Sequence, residues 1–276
     1  MEATGRLYVV ATPIGNLEDL SPRARATLAE VDLIAAEDTR VTRRLLAAAH
    51  ISARLVSYRD ENEKRLAPRM VNTLRAGKSV ALVCDAGTPG ISDPGYRLVK
   101  AAVEVGIEVV AVPGPSAITA LLSVSGLPID RFAFDGFLPS AAGARRKALE
   151  AMAGGGRTHV VYESPRRILR LLEEIVELLA DPPVAVGREL TKVHEEVLRG
   201  TASQVGERLA EQGPRGEFVV AVYLDAGKTS VDEADLEREL RVLLGKGISV
   251  RDAAVVFKER GVPRRLVYEI ARKLTD

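Results

Sequence analysis

The sequence predicts an α/β protein: two α/β domains followed by a small helical segment. Three observations carry this reading. Short apolar, β-branched runs alternate with helical patterns as far as Val112, which is the mark of a mostly parallel sheet covered by helices. The alternation changes character after Pro113-Gly114-Pro115. Beyond residue 232 only helical patterns remain. The expected divisions are 1–114, 115–226 and 227–276.

Leu7 to Ala11 reads as a buried strand. Ser21-Pro22 then opens a helix, with serine as N-cap and proline at the first helical position. Leu33 to Ala36 and Leu55 to Ser57 are the next strands. Glu61 to Ala76 is an amphipathic helix stopped by Gly77. Val80 to Cys84 is a strand, Tyr96 to Val105 a helix ended by Gly106, and Glu108 to Val112 a strand. Ser116 to Ser123 is a short helix. Four strands follow, at 131–137, 158–162, 184–188 and 218–224, with helices at 144–153, 166–179 and 202–211 between them. Asp225-Ala226-Gly227-Lys228 reads as a linker. In the tail, Ser249 with Asp252 resembles a capping box, Gly261 ends that helix and Pro263 starts the next.

Composition narrows the function classes. The chain has 276 residues, 46% of them hydrophobic and 28% charged, with a formal net charge of +1. The molecule as a whole is therefore no electrostatic glove for nucleic acid, and any RNA contact must come from local basic patches. The tail from Lys246 to Asp276, with eight Lys or Arg against four Asp or Glu, has a mildly basic face that reads equally as solvated surface or as a surface for RNA or a partner. One cysteine, Cys84, lies in an apolar run and reads as a buried thiol; it makes no internal disulfide or cysteine-rich zinc site. The histidines His50, His159 and His194 have no paired metal spacing. Residues Val109 to Ile129 carry no charge, about the length of a membrane span, yet Pro113, Gly114, Pro115, Gly126 and Pro128 argue for a strand, a turn and a buried helix. With no apolar stretch near Met1, a cytoplasmic protein without membrane or metal is expected.

The strongest chemical signal is Asp85-Ala86-Gly87-Thr88-Pro89-Gly90-Ile91-Ser92-Asp93-Pro94-Gly95, directly after a buried strand. Ligands of open α/β sheets sit beyond the carboxyl ends of the strands, and glycine lets backbone approach a ligand closely. Thr12 to Leu17 and Pro113 to Ala117 are similar loops after two further strands. Each is weak alone; three at one sheet edge suggest a shared pocket. No dinucleotide fingerprint, P-loop, zinc-protease or nucleophile-elbow motif is intact.

Taken in order, TPIGNL, AEDTR, DAGTPGISDPG, VPGPSA, FDGFLP, YESPRR and GREL, spread over residues 6 to 225, resemble the ribosomal RNA small subunit methyltransferase I family. The resemblance implies a fold of the tetrapyrrole-methylase type, with S-adenosylmethionine in a cleft between two α/β domains and a helical C-terminal extension. It implies 2′-O-methylation of a cytidine ribose in the decoding centre of 16S rRNA, within the small ribosomal subunit, by a homodimer. Carried over motif by motif, Pro13 lines the cofactor pocket, and Asp85, Gly87, Thr88, Ile91, Ser92 and Asp93 lie near the methionine part. Ser116 and Ala117 flank it. Phe137, Leu138, Tyr162, Glu189 and Leu190 complete the set from the second domain, towards the nucleoside.

A ribose hydroxyl is a poor nucleophile unless its proton has somewhere to go. Glu37, Asp38 and Glu163, each at a strand end, are the candidate bases, and the sequence does not choose among them. Arg40, Arg43 and Arg44, with Arg166 and Arg167, are candidates for RNA phosphates, since guanidinium forks match phosphate oxygens. Ser164 before Pro165 is expected to cap a helix, and Tyr58, Phe137 and Tyr162 are candidates for stacking a base. Two other functions remain open: a corrin-precursor methyltransferase of the same superfamily, disfavoured by AEDTR and YESPRR, and a non-catalytic RNA-binding assembly factor, disfavoured by the intact 85–95 loop.

Overall fold

The structure, a computed structural model, describes residues 5–225, 233–259, 262 and 264–275. By internal contact the chain forms two compact units: Met1–Ala151 with Thr158–Tyr223, and Met152–Arg157 with Leu224–Asp276. The first carries two five-stranded sheets.

Strands β1 (Leu7–Val10), β2 (Leu33–Ala36), β3 (Leu55–Ser57), β4 (Val80–Val83) and β5 (Val109–Val112) form the first sheet, in the order β3-β2-β4-β1-β5. Every pairing in it is parallel. Side chains alternate between its faces. Ile34, Ala36, Ala81 and Val83 pack on Ala24 and Leu28 of α1 (Pro22–Glu30) and Leu46 of α2 (Thr39–Ala48). Ala35 and Leu82 pack the other way, on Leu66, Met70 and Leu74 of α3 (Asp60–Arg75) and Leu98 and Ala102 of α4 (Tyr96–Glu104). Burial on both faces explains why these strands read as unbroken apolar runs. Ser21 caps α1 as expected, accepting the Ala24 N–H at 3.0 Å.

Helix α5 (Ala117–Ser125) follows β5, but its apolar side joins the second sheet: Ile118, Leu121 and Leu122 cluster with Val160, Ala185, Val219 and Ala221. That sheet runs β6-β7-β10-β8-β9, from β6 (Phe132–Phe137), β7 (Arg157–Glu163), β8 (Pro183–Arg188), β9 (Glu196–Thr201) and β10 (Phe218–Leu224). β6 and β7 are parallel, with a register shift between Phe134 and Gly136, whose φ is +66°. β8 pairs antiparallel with both β10 and β9. The sequence reading expected four strands here and missed β9. It is an edge strand in which Leu198 alone is buried, so its pattern is mostly polar and its partner, not its composition, makes it a strand.

Helices α6 (Ala142–Met152), α7 (Ile168–Leu179) and α8 (Ala202–Gln212) complete this unit. Ser164 does not cap α7. The helix starts two residues later than expected, with Arg167 at the cap position and no side-chain cap. The Ser164 N–H and hydroxyl instead face the Glu163 carboxylate, at 2.7 and 3.3 Å. A buried ion pair joins α6 to α7: Arg145 donates to both oxygens of Glu174, at 2.6 and 2.9 Å. Neither group reaches a tenth exposure.

In the second unit α9 (Glu233–Gly245), α10 (Val250–Glu259) and α11 (Arg264–Thr275) enclose a core of Leu236, Leu240, Ala253, Phe257, Val267 and Ile270. Ser249 caps α10, accepting the Asp252 N–H at 3.1 Å while its hydroxyl meets the Asp252 carboxylate at 2.6 Å. The expected stop at Gly261 and start at Pro263 lie outside the described residues, as does the expected linker beyond Asp225. No helix among the described residues is long and apolar enough to cross a membrane.

The Arg145–Glu174 pair generates a stability prediction. Arg145→Met leaves a buried carboxylate facing only Arg170, and should cost about 3–5 kcal/mol, as when one partner of a buried pair is removed. Urea unfolding measures it. Hydrogen bonding to Arg145 holds the Glu174 carboxyl below the usual glutamate range. Its contribution is therefore full above that range and lost as pH falls through the lowered value, so the wild type should show an acid-side loss that the variant largely lacks.

Candidate active site

Because β1, β4 and β5 are parallel neighbours, the loops after them open at one sheet edge. Thr12 and Gly87 tie two of these loops together. The Thr12 N–H donates to the Gly87 carbonyl at 2.8 Å and the Gly87 N–H to the Thr12 carbonyl at 3.0 Å. The Thr12 hydroxyl also reaches the Cys84 carbonyl, at 3.2 Å. Gly87 has φ +84°, and Ser92 holds φ +65° without being glycine. Such backbone persists only where its surroundings impose it, and it gathers at functional sites.

A cavity of about 380 Å³ lies against these loops, within the range of small-molecule sites. Gly87, Thr88, Ile91, Ser92, Asp93, Ser116 and Ala117 line it from the first sheet's side, and Phe137, Tyr162 and Leu190 from the second. With Glu163, which also lines it, these are eleven of the expected site residues. Tyr162 stands between Phe134 and Phe137, with ring centroids 5.0 and 5.5 Å away, and burial pushes its hydroxyl up to about 12. Leu138 is buried beside the cavity's walls without belonging to them, and Glu189 is tied to Lys192 at 2.9 Å. Tyr58 is fully buried and unable to stack a base. The sequence reading missed Ile14, Ala86, Ser164, Pro165, Gly187 and the run Gly216 to Val219. Gly216-Glu217 ahead of an apolar strand was the available signal, and it is an ordinary turn pattern.

A second cavity, of about 450 Å³, adjoins the first and shares Ile14, Ala86 and Glu217 with it. Pro13 and Asp85 lie on this one, with Thr42, Arg44 and Lys192. The carboxylates at the sheet edge are interlocked. The Asp85 N–H points at Glu37 Oε2, at 3.3 Å, and Asp85 Oδ1 accepts the Asp38 N–H at 2.9 Å. Burial raises the carboxyls of Glu37, Asp85 and Asp93 above their ordinary values. Asp38 is held well below the usual range by the Arg40 side chain and backbone N–H, and caps α2.

Glu163 lines the first cavity, with its side chain fully buried. Its Oε1 accepts from Arg167 at 2.6 Å, while Oε2 is buried without a hydrogen bond. Arg167 also donates to the Leu138 carbonyl, at 3.3 Å. Arg43, Arg44 and Arg166 are exposed, and Arg40 is paired with Asp38.

The fold and this site define a class. The profile described as Tetrapyrrole (Corrin/Porphyrin) Methylases matches residues 6–206. Among solved structures, the fold resembles uroporphyrin-III-C-methyltransferase from Thermus thermophilus, at TM-score 0.56 and 23% identity over 81% of this chain and 96% of that one. It also resembles a cobalt precorrin-4 methyltransferase, at TM-score 0.57 and 18% identity over 78% and 94%. Curated proteins called Ribosomal RNA small subunit methyltransferase I are nearer in sequence. That of Synechocystis sp. is 44% identical over 98% of both chains, and that of Escherichia coli O157:H7 43% over 97% of this chain and 94% of its own. That of Thermotoga maritima is 46% identical over 79% of this chain and 98% of its own. The chain belongs to the ribosomal RNA small subunit methyltransferase I family, within the tetrapyrrole methylases.

The loop after β1 and the segment after β8 meet at Gly15. A methyl group there would lie 2.7 Å from Thr191 Oγ1 and 3.0 Å from the Leu190 carbonyl, and would overlap Lys192 Cγ. Gly15→Ala should therefore force the two segments apart and cost about 1–3 kcal/mol by overpacking. Denaturant unfolding gives the loss.

Proposed function

We infer that the protein is an S-adenosylmethionine-dependent ribosomal RNA methyltransferase, and that it methylates the 2′-hydroxyl of a cytidine ribose in the decoding centre of 16S rRNA. The observation that carries this reading is the first cavity. It lies within a chain that matches, over nearly its whole length, proteins named for small-subunit rRNA methylation.

The cavity's residues fit the donor. Gly87, at φ +84°, brings backbone to the lining where a side chain would be strained. Ile91, Phe137, Tyr162 and Leu190 offer apolar cover, and Asp93 a carboxylate suited to a cation. Ser116 makes no side-chain cap to α5, so the first amides of that helix remain donors for an anionic group such as a carboxylate. When bound, S-adenosylmethionine supplies an electrophilic methyl carbon on a sulfonium. The protein holds the acceptor oxygen in line with it and excludes competing water, and such positioning lowers a barrier by several kcal/mol.

In the same reading, residues 1–114 and 115–226 are the two α/β domains and 227–276 a helical appendage. The protein acts in the cytoplasm as a homodimer, and Arg43, Arg44 and Arg166 meet RNA phosphates.

The test is direct. Purified protein, labelled S-adenosylmethionine and unmethylated 30S particles should give a 2′-O-methylcytidine in 16S rRNA, located by nuclease mapping and mass spectrometry. A methyl group on a base, or unmodified 16S rRNA, would overturn the assignment. Phosphate contacts also imply that affinity for 30S particles falls with salt, at a slope of about −0.7 to −0.9 per phosphate neutralised. Arg166→Ala should flatten a plot of log affinity against log salt and leave cofactor binding unchanged by calorimetry.

A further inference from the structure

The second cavity adjoins the first through Ile14, Ala86 and Glu217. Leu17, Val41 and Leu45 give it apolar walls, and Arg44 adds a cation with an exposed side chain. Such a cavity suits a flat polar ring carried on a phosphodiester chain: an apolar wall for the ring's face and a guanidinium for the neighbouring phosphate. Asp85 lines this cavity and directly precedes Ala86, which lines both.

The other carboxylates nearby are paired or lie off this cavity. Asp38 caps α2 and holds Arg40. Glu163 is buried on Arg167, and Glu217 is paired with Lys192 at 3.0 Å. Glu37 lines neither cavity, and Asp93 lines only the first. Asp85 is exposed, with Oδ1 taken by the Asp38 N–H and no hydrogen bond to Oδ2 among the described residues. Resting on the function inferred above, we propose that the second cavity seats the target nucleoside and that Asp85 is the catalytic residue that takes the 2′-hydroxyl proton. The O–H bond breaks as the proton passes to Asp85 Oδ2. Its electron pair stays on the oxygen, which forms the bond to the methyl carbon as the bond from that carbon to the sulfonium sulfur breaks; the sulfur keeps that bond's electron pair and leaves as a neutral thioether, and the proton then leaves Asp85 for solvent.

Although Asp85 is exposed as a residue, partial desolvation of its carboxyl at the cavity wall lifts it above its ordinary value and makes it the stronger base. The groups around it are Asp38 and Arg40 at the start of α2, Arg59 before α3, Glu37 after β2, and Asp93 in its own loop. A base works deprotonated, so activity should fall as pH drops through this raised value, and the acid limb should lie above the usual aspartate range.

Asp85→Asn keeps the shape and removes the basicity. It should lower kcat by about 10²–10⁴-fold and abolish the acid limb, while S-adenosylmethionine affinity by calorimetry and 30S affinity by filter binding stay at wild-type values. Val41→Trp, which fills the cavity, should weaken 30S binding and leave S-adenosylmethionine affinity intact. Wild-type kcat and acid limb in Asp85→Asn would overturn the role of the carboxylate. A loss of S-adenosylmethionine affinity that accounts for the whole rate loss would do the same. Unchanged 30S binding in Val41→Trp would overturn the seat. Wild-type protein that leaves 30S particles unmethylated would instead strike the underlying function.

Discussion

The parallel register of β1, β4 and β5 is the constraint on which the site depends. Parallel strands deliver their carboxyl ends to one edge of a sheet, so loops far apart in sequence emerge together. The reciprocal hydrogen bonds between Thr12 and Gly87 then fix two of them to each other. Remove that edge and the glycines, Ser92 and Asp93 become ordinary turn residues with nothing to surround.

Two cavities adjoin at this edge. The first is closed from above by aromatic and aliphatic groups of the second sheet, and the second is bounded by α2. Asp85 to Ala86 is the joint between them. The chain thus places one continuous loop, 85–95, along both, and a single peptide unit separates Asp85, which lines only the second, from Ala86, which lines both. Carboxylates gather here at a cost that burial makes visible in Glu37, Asp85 and Asp93. The neighbouring guanidiniums of Arg40 and Arg59 moderate it.

The relatives differ in how much of the chain they match. A Thermotoga maritima relative aligned over 98% of its own length covers 79% of this chain, so about a fifth of the chain has no counterpart there. The profile match likewise ends at residue 206. The motifs that carry the family resemblance lie in the larger unit, and the small unit has its own core of Leu240, Phe257 and Val267.

The sequence by itself determined the first sheet almost strand for strand, since strands buried on both faces are legible as continuous apolar runs. It also determined the caps at Ser21 and Ser249, and it pointed to three loops rich in glycine and proline at one sheet edge, while Phe137, Tyr162 and Leu190 came from the family resemblance and not from any local pattern. Tertiary structure alone decided the rest. β9 is a strand through its pairing with β8, not through its composition. Ser164 serves Glu163 instead of capping α7. Pro13 and Asp85 line a different cavity from their motif neighbours, and Gly216 to Val219 reach the first cavity from the chain's far end. Local sequence fixes dihedral preference and burial pattern, whereas a cavity is a relation between distant segments, set only when the sheets pack.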